Sequence, residues 1–183
     1  MKRKFLAQFS VFDLLIIAFS AAIGIAVKPV LSSLSHLITG PFMIPGGSFA
    51  GGLYMLFIIL GAGIVQKRGA ATLICFVQAI LVVISGVYGT HGAASFLTYT
   101  LPGVVVDILW LIMRHRGCCL WCCFFGCIAA NLTGAFLVNV IFFRLPAVPL
   151  LLSLALAAFS GGIGGIISWN ILKRVRKQLE NDE

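Results

Sequence analysis

Long apolar blocks separated by short polar turns set the plan of this chain. The first block predicts a helix from about Val11 to Val30, ending near Lys28-Pro29, where proline restricts the chain and the lysine can snorkel outward. Ser32 to His36, Gly40-Pro41 and Pro45-Gly46-Gly47-Ser48 are dense in Ser, Gly and Pro, and predict an ordered outer loop. A second helix follows from about Phe49 to Val65, and Gln66-Lys67-Arg68-Gly69 makes a tight inner turn. The third covers about Ala70 to Ile84 and leaves through Ser85 to Gly92. The fourth runs from about Ala93 to Met113 and closes at Arg114-His115-Arg116-Gly117. The fifth spans about Cys118 to Phe143, and Arg144 to Pro149 makes the last outer turn. The sixth, about Leu150 to Leu172, enters a basic tail.

The placement of charge gives these blocks a direction. Of thirteen Lys and Arg, all but Lys28 and Arg144 fall in four clusters: Lys2-Arg3-Lys4, Lys67-Arg68, Arg114 with Arg116, and Lys173-Arg174 with Arg176-Lys177. Consecutive clusters are separated by roughly two membrane spans, at about 20 residues per span. Cytoplasmic loops retain Lys and Arg, so the chain crosses out and back between each pair. Three such hairpins predict an all-α bundle of six transmembrane helices with both termini cytoplasmic, one domain over residues 1–183.

Composition agrees. A chain 61% hydrophobic and 10% charged, with mean hydropathy +1.11, has too little polar surface to coat a soluble globule. Its net charge of +8 would suggest nucleic acid in a soluble protein, but here it reads as a topology signal and a match to anionic membrane lipid. The amino terminus has the outline of a signal peptide, with Lys2 to Lys4 before an apolar run that reaches small residues at Ala21 and Ala22. Asp13 interrupts that run, and the run continues to about Val30, long enough to span; it is kept as the first helix.

Polar residues inside spans are candidate sites, because each is costly there. Asp107 lies in the inner half of the fourth helix, either binding substrate or coupling a proton, or pairing with Arg114 or a polar neighbour to fix packing. Asp13 reads as a partner of Lys67, Arg68 or the amino-terminal cluster. In the outer half, His91, Ser95 and Tyr99 share one face of the fourth helix and the turn before it. Tyr88 precedes them, Gln78 lies in the third helix and Asn139 in the outer third of the fifth. Aromatic faces with amide and imidazole groups suit a flat heterocycle in an apolar cavity, and a Ser-Tyr stripe equally suits hydrogen bonds within a bundle. Asn131 reads as packing, and the three tryptophans as packing or interface anchors.

Cys118, Cys119, Cys122, Cys123 and Cys127 contain C-x-x-C spacing, yet open an apolar helix on a reducing side with no second cluster. They read as soft packing, and no metal or cofactor is expected. No phosphate loop of the G-x-x-x-x-G-K-[ST] type is present, and Gly161 to Gly165 reads as a helix contact.

Ala18-Phe-Ser-Ala-Ala22, with Ala26 one turn on, looks like an A-x-x-x-A docking groove. With six helices, basic inner turns and no ATPase motif, the chain resembles the substrate-binding S-components of energy-coupling-factor (ECF) vitamin transporters. Pro45 to Met113 is most similar to the branch associated with hydroxymethylpyrimidine-like thiamine precursors, through Gly46-Gly47-Ser48, Tyr54, Lys67-Arg68-Gly69-Ala70 and Leu101-Pro102-Gly103. That branch carries acids in helices two, three and four; only Asp107 is a counterpart here, and apolar or glycine positions near Gly51 and Val83 replace the others.

The resemblance implies a binding and translocating subunit without catalysis. It would dock through Ala18, Ala22 and Ala26 on a transmembrane T-component joined to two cytoplasmic ATPases. Substrate would sit under the Lys28–Ser48 loop. The expected contacts are His91, Tyr99, Ser95, Tyr88, Asn139, Gln78, Ser48 and Asp107, and Lys28 or His36 would meet any acidic group. A proton-coupled secondary transporter centred on Asp107 is the alternative; a small membrane enzyme lacks paired catalytic residues, and a scaffold stays open.

Overall fold

The computed structural model describes residues 8–39, 46–85, 93–115 and 117–181, and these form an all-helical bundle. The helices are α1 (Val11–Thr39), α2 (Gly46–Val65), α3 (Ala70–Ser85), α4 (Ala93–Ile112), α5 (Leu120–Val138) and α6 (Ala147–Asn181). A π-helical turn, Asn139–Phe143, continues α5. All but α3 are long and apolar enough to cross a membrane. The 16 described residues of α3 rise about 24 Å, shorter than the other helices.

Several boundaries differ from the sequence expectation, and α2 begins at Gly46, taking in the Gly46-Gly47-Ser48 stretch expected in the outer loop. Helix α1 does not stop at Lys28-Pro29 but continues through Pro29 to Thr39, taking in the Ser32–His36 stretch read as loop. A membrane helix tolerates an internal proline when neighbouring helices satisfy the freed backbone. Helix α6 begins at Ala147 instead of Leu150, with Pro149 in its first turn, where the missing N–H costs little. It also runs past Leu172 to Asn181, carrying the basic cluster on a helix.

Glycines set the closest approaches. A Cβ on Gly52 would overlap the Ser160 carbonyl, and one on Gly164 would overlap that of Gly52, so α2 and α6 meet backbone to backbone. Gly161 and Gly165 do the same for α6 against α5 at Ile128 and Phe124. Around them lies a core of small and β-branched side chains, including Ile58, Ile59, Ala62, Ile74, Val106, Cys122 and Cys127. Large apolar residues such as Phe12, Leu15, Phe19, Ile112 and Phe159 are exposed on the outside, as lipid requires.

The basic end is held by polar groups bonded to backbone. Ser10 and Asp13 cap the start of α1 reciprocally: the Asp13 carboxylate accepts from Ser10 N (2.6 Å) and Oγ (2.9 Å), and Ser10 Oγ accepts from Asp13 N. Asp13 also pairs with Lys67, one of its expected partners. The Arg176 guanidinium, from α6, donates to Gly63 O at the end of α2 (2.7 Å) and to Gly117 O (3.0 Å). Trp110 Nε1 donates to Cys122 O at 2.9 Å, tying α4 to α5.

Candidate functional site

The site begins with the phase of α1. Asp13, Ile17, Ala21 and Gly24 are buried along one stripe at spacings of four, four and three, and Lys28 follows one turn later on the same stripe. Its side chain therefore enters the bundle rather than snorkelling outward. Nζ donates to Tyr99 Oη and lies 4.0 Å from the Tyr99 ring centroid and 5.1 Å from that of Tyr54. Both distances are within cation–π range, worth about 1–2 kcal/mol each when desolvated. Tyr54 Oη donates to Gly47 O at 3.1 Å, which fixes that ring at the start of α2.

These groups line a small chamber with Gly24, Gln78, Thr98, Met55 and Gly134, contributed by α1 to α5. Gly24 has a specific part: a Cβ there would overlap Gln78 Nε2, so its absence admits the amide to the chamber. A second chamber, lined by Ser48, Asn131 and Asn139, shares the Tyr54, Met55, Gly134 and Val138 wall. Each holds about 50 Å³, room for one or two waters at about 30 Å³ apiece and too little for a heterocycle. Admitting one requires the Lys28–Tyr99 contact to part or the Tyr54–Met55 wall to swing.

The second chamber has unused hydrogen-bonding capacity. Asn139 Nδ2 donates to Ala135 O (2.8 Å) and Ser153 Oγ (3.0 Å), while its buried Oδ1 accepts nothing among the described residues. The π-turn begins at Asn139, and Arg144 closes it with φ of +47° and an N–H donated to Asn139 O at 2.6 Å. Such turns collect at functional sites. Ser48 Oγ is bonded to Ser153 Oγ at 2.7 Å. Asn131 donates to Ser48 O and Ala157 O and fills the space beside Gly51, a packing role.

Of the expected contacts, Tyr99, Gln78, Asn139 and Ser48 thus line the two chambers. Ser95 is buried one turn from Tyr99 with its Oγ unbonded among the described residues, but it lines neither chamber. His91 and Tyr88 lie outside the described residues.

Asp107 does not join this group. Its carboxylate accepts from Thr72 Oγ1 (2.6 Å), Thr72 N (2.8 Å) and Gly69 N (3.3 Å), capping the first turn of α3 from a neighbouring helix. It lines a larger cleft of about 520 Å³ at the basic end, with Gln66 to Gly69, Trp110, Arg114 and His115. That cleft lies among the inner turns, whereas the two small chambers lie in the outer half, so they are the better candidate for capture from outside.

The sequence reading left Lys28 as a contact for an acidic group only and gave Tyr54 no site role. A lone cation in phase with a buried stripe was the available signal. Ala18, Ala22 and Ala26 lie off that stripe and are exposed, as are Leu14, Leu15 and Phe19. At the basic end, His115, Cys118, Cys119 and Cys122 bring one imidazole and three thiols together, all donor atoms within 4.8 Å of one another.

A family model described as "ABC-type cobalt transport system, permease component" matches residues 12–133, about two thirds of the chain. The chain belongs to that family. A solved structure, described as the crystal structure of an S-component of an ECF transporter, superposes with a TM-score of 0.76 at 14% identity, covering 93% of this chain and 87% of that one. None of the curated proteins matches in sequence. The chain is accordingly a multi-pass membrane transport protein with the S-component fold, and not an enzyme.

Proposed function

We propose that this permease-family member is the substrate-capturing subunit of an ATP-driven importer for a small vitamin or vitamin precursor built on an aromatic heterocycle. The observation that carries the reading is the cation held beside two tyrosine rings in a small chamber of the outer half, at Lys28, Tyr54 and Tyr99. Aromatic faces sandwich a flat ring, Gln78 and Asn139 offer amides to its edge, and Lys28 meets a carbonyl or acidic oxygen. The family's description names cobalt. An ammonium beside two phenols repels a divalent cation, and the described lining offers it no thiolate, imidazole or carboxylate, so the donor chemistry favours an organic substrate.

The exposed Ala18, Ala22 and Ala26 stripe supports close docking of a transmembrane partner helix, the T-component of an ECF assembly with its two ATPases. Whole-subunit tilting driven by those ATPases would deliver the substrate. The thiamine-precursor branch remains the preferred substrate class, on the segment from Pro45 to Met113. The rival use of Asp107 as a proton carrier is disfavoured by its three hydrogen bonds to the start of α3.

The test is affinity purification of the tagged chain from its native membranes, with mass spectrometry of the proteins and small molecules retained. A T-component, an ATPase pair and a heterocycle that is lost from Tyr99→Ala are expected. Recovery of the chain alone, with uptake abolished by an uncoupler and insensitive to ATP depletion, would overturn the reading.

A further inference from the structure

We propose that His115, Cys118, Cys119 and Cys122 form a Cys3His site for a resident thiophilic divalent ion, zinc before others, at the turn joining α4 to α5. The sequence reading took these cysteines as packing because C-x-x-C had no second pair. The fold supplies what the spacing lacked. Main-chain geometry folds His115 back over the start of α5: His115 N–H reaches Trp110 O (3.0 Å), and Arg114 and Gly117 adopt left-handed φ of +56° and +70°. The imidazole Nδ1 then lies 3.1 Å from Cys118 Sγ, and Cys119 Sγ lies 2.9 Å from Cys122 Sγ.

Four donors of this kind are what tetrahedral zinc takes. Zinc–sulfur bonds of about 2.3 Å place sulfurs about 3.8 Å apart around the ion, so the four atoms, already within 4.8 Å, need only shifts of about 1 Å to receive it. Cys122 reaches the set from the edge of the buried core, whereas Cys123 and Cys127, also in that core, fall outside the four-residue group.

The surroundings suit the charge. Three thiolates, a neutral imidazole and a divalent ion sum to −1, and the Arg176 guanidinium donates to Gly117 O and, at 3.5 Å, to Cys118 O. Cys122 is buried and packed under Trp110, which bonds its carbonyl, while His115 and Cys118 are exposed, so the ion has a rigid seat and an open approach. The basic turns place this site on the cytoplasmic side, where thiols stay reduced. It lies about 25 Å from Asn139 along α5, the rise over the intervening residues, so the ion is a fixture of the inner turn and no cargo of the outer chambers. Bound there, it would clamp the ends of α4 and α5 together.

The test uses the full chain in lipid nanodiscs, purified under reducing conditions with a tag free of histidine and cysteine. Metal analysis should find about one zinc per chain, retained by Cys75→Ser, which lies outside the cluster, and reduced about tenfold or more in His115→Ala and in Cys118→Ala. Both substitutions are at exposed positions, so folding should survive, and melting curves verify it. Chain stripped by a chelator and titrated with Co²⁺ should develop thiolate-to-cobalt charge-transfer and tetrahedral d–d bands, which Zn²⁺ abolishes. Absence of zinc together with absence of these bands would overturn the proposal. So would equal zinc in wild type and both variants, or a reductant-sensitive loss of two titratable thiols without metal.

Discussion

The two ends of this bundle use polar residues in opposite ways. At the basic end, Asp13, Asp107 and Arg176 bond to backbone at helix termini that would otherwise be left unsatisfied, and Trp110 ties α4 to the α5 backbone. In the outer half, polar groups face cavities, and Asn139 Oδ1 keeps capacity in reserve, accepting no bond among the described residues. A buried polar group that is fully bonded fixes structure, whereas one with spare capacity is ready to exchange partners. The inner end therefore behaves as a frame, and the outer half as a receptor held in that frame.

If the frame is what makes the receptor possible, disrupting it should unfold the protein before binding can be read. The largest effect is expected at Gly164→Leu, which drives a side chain into the Gly52 carbonyl at the α2–α6 contact. A loss exceeding about 3 kcal/mol is predicted, seen as failure to recover monodisperse chain in detergent. Next comes Asp107→Ala, which strips three hydrogen bonds, two of them to backbone amides, from the start of α3. A charged acceptor of this kind is worth about 2–3 kcal/mol, so the melting temperature should fall by several degrees. Substrate affinity of the protein that remains folded should be unchanged. A preserved melting temperature with lost uptake would instead return Asp107 to the receptor and erase the distinction between the two ends.

On the receptor side the signs reverse. Tyr99→Ala removes one cage wall and the hydroxyl that meets Lys28. Affinity should drop about tenfold or more, at least about 1.4 kcal/mol, while the melting temperature moves little. Tyr99→Phe keeps the ring and should recover part of that loss. Isothermal titration with the retained small molecule reads both. Equal loss in the two variants would place the contribution in the hydroxyl and leave the ring without a role.

How much of this was legible beforehand follows the same division. The frame was visible because its signals are plain: basic turns mark where helices end, Gly161 to Gly165 marks a close contact, and Asp13 has the cations of the first inner turn as expected partners. The receptor was less legible because it is assembled from five helices. Ser95 and Tyr99 share a face in sequence, yet only Tyr99 lines a chamber, since the partner helices decide which part of that face is walled. Lys28 was read as outward because it precedes Pro29, a residue that ends most helices but not one packed among neighbours in lipid. Asp107 carried an ambiguity that sequence cannot resolve, because its partners Gly69 and Thr72 come from another helix. The cysteine cluster was hard to read for the same reason: His115 comes beside Cys118 only once the turn folds back.

The outer face of α1 offers a third kind of surface, and it sharpens the comparison because it belongs to neither end. Ala18, Ala22 and Ala26 are exposed, so Ala22→Leu fills no internal space and touches neither frame nor cage. Stability should change by less than about 0.5 kcal/mol, and the affinity for the retained small molecule should be the same as in the wild type. What should disappear is co-purification of the transmembrane partner, since a leucine at the middle of the stripe holds an approaching helix away from the groove. A variant that still brings down partners in full yield would show that the alanines face lipid and that coupling lies elsewhere on the bundle. The cleft beside Lys67, Arg68 and Arg114 would then be the next surface to substitute, because its cations stand where partner carboxylates or lipid headgroups meet the inner turns.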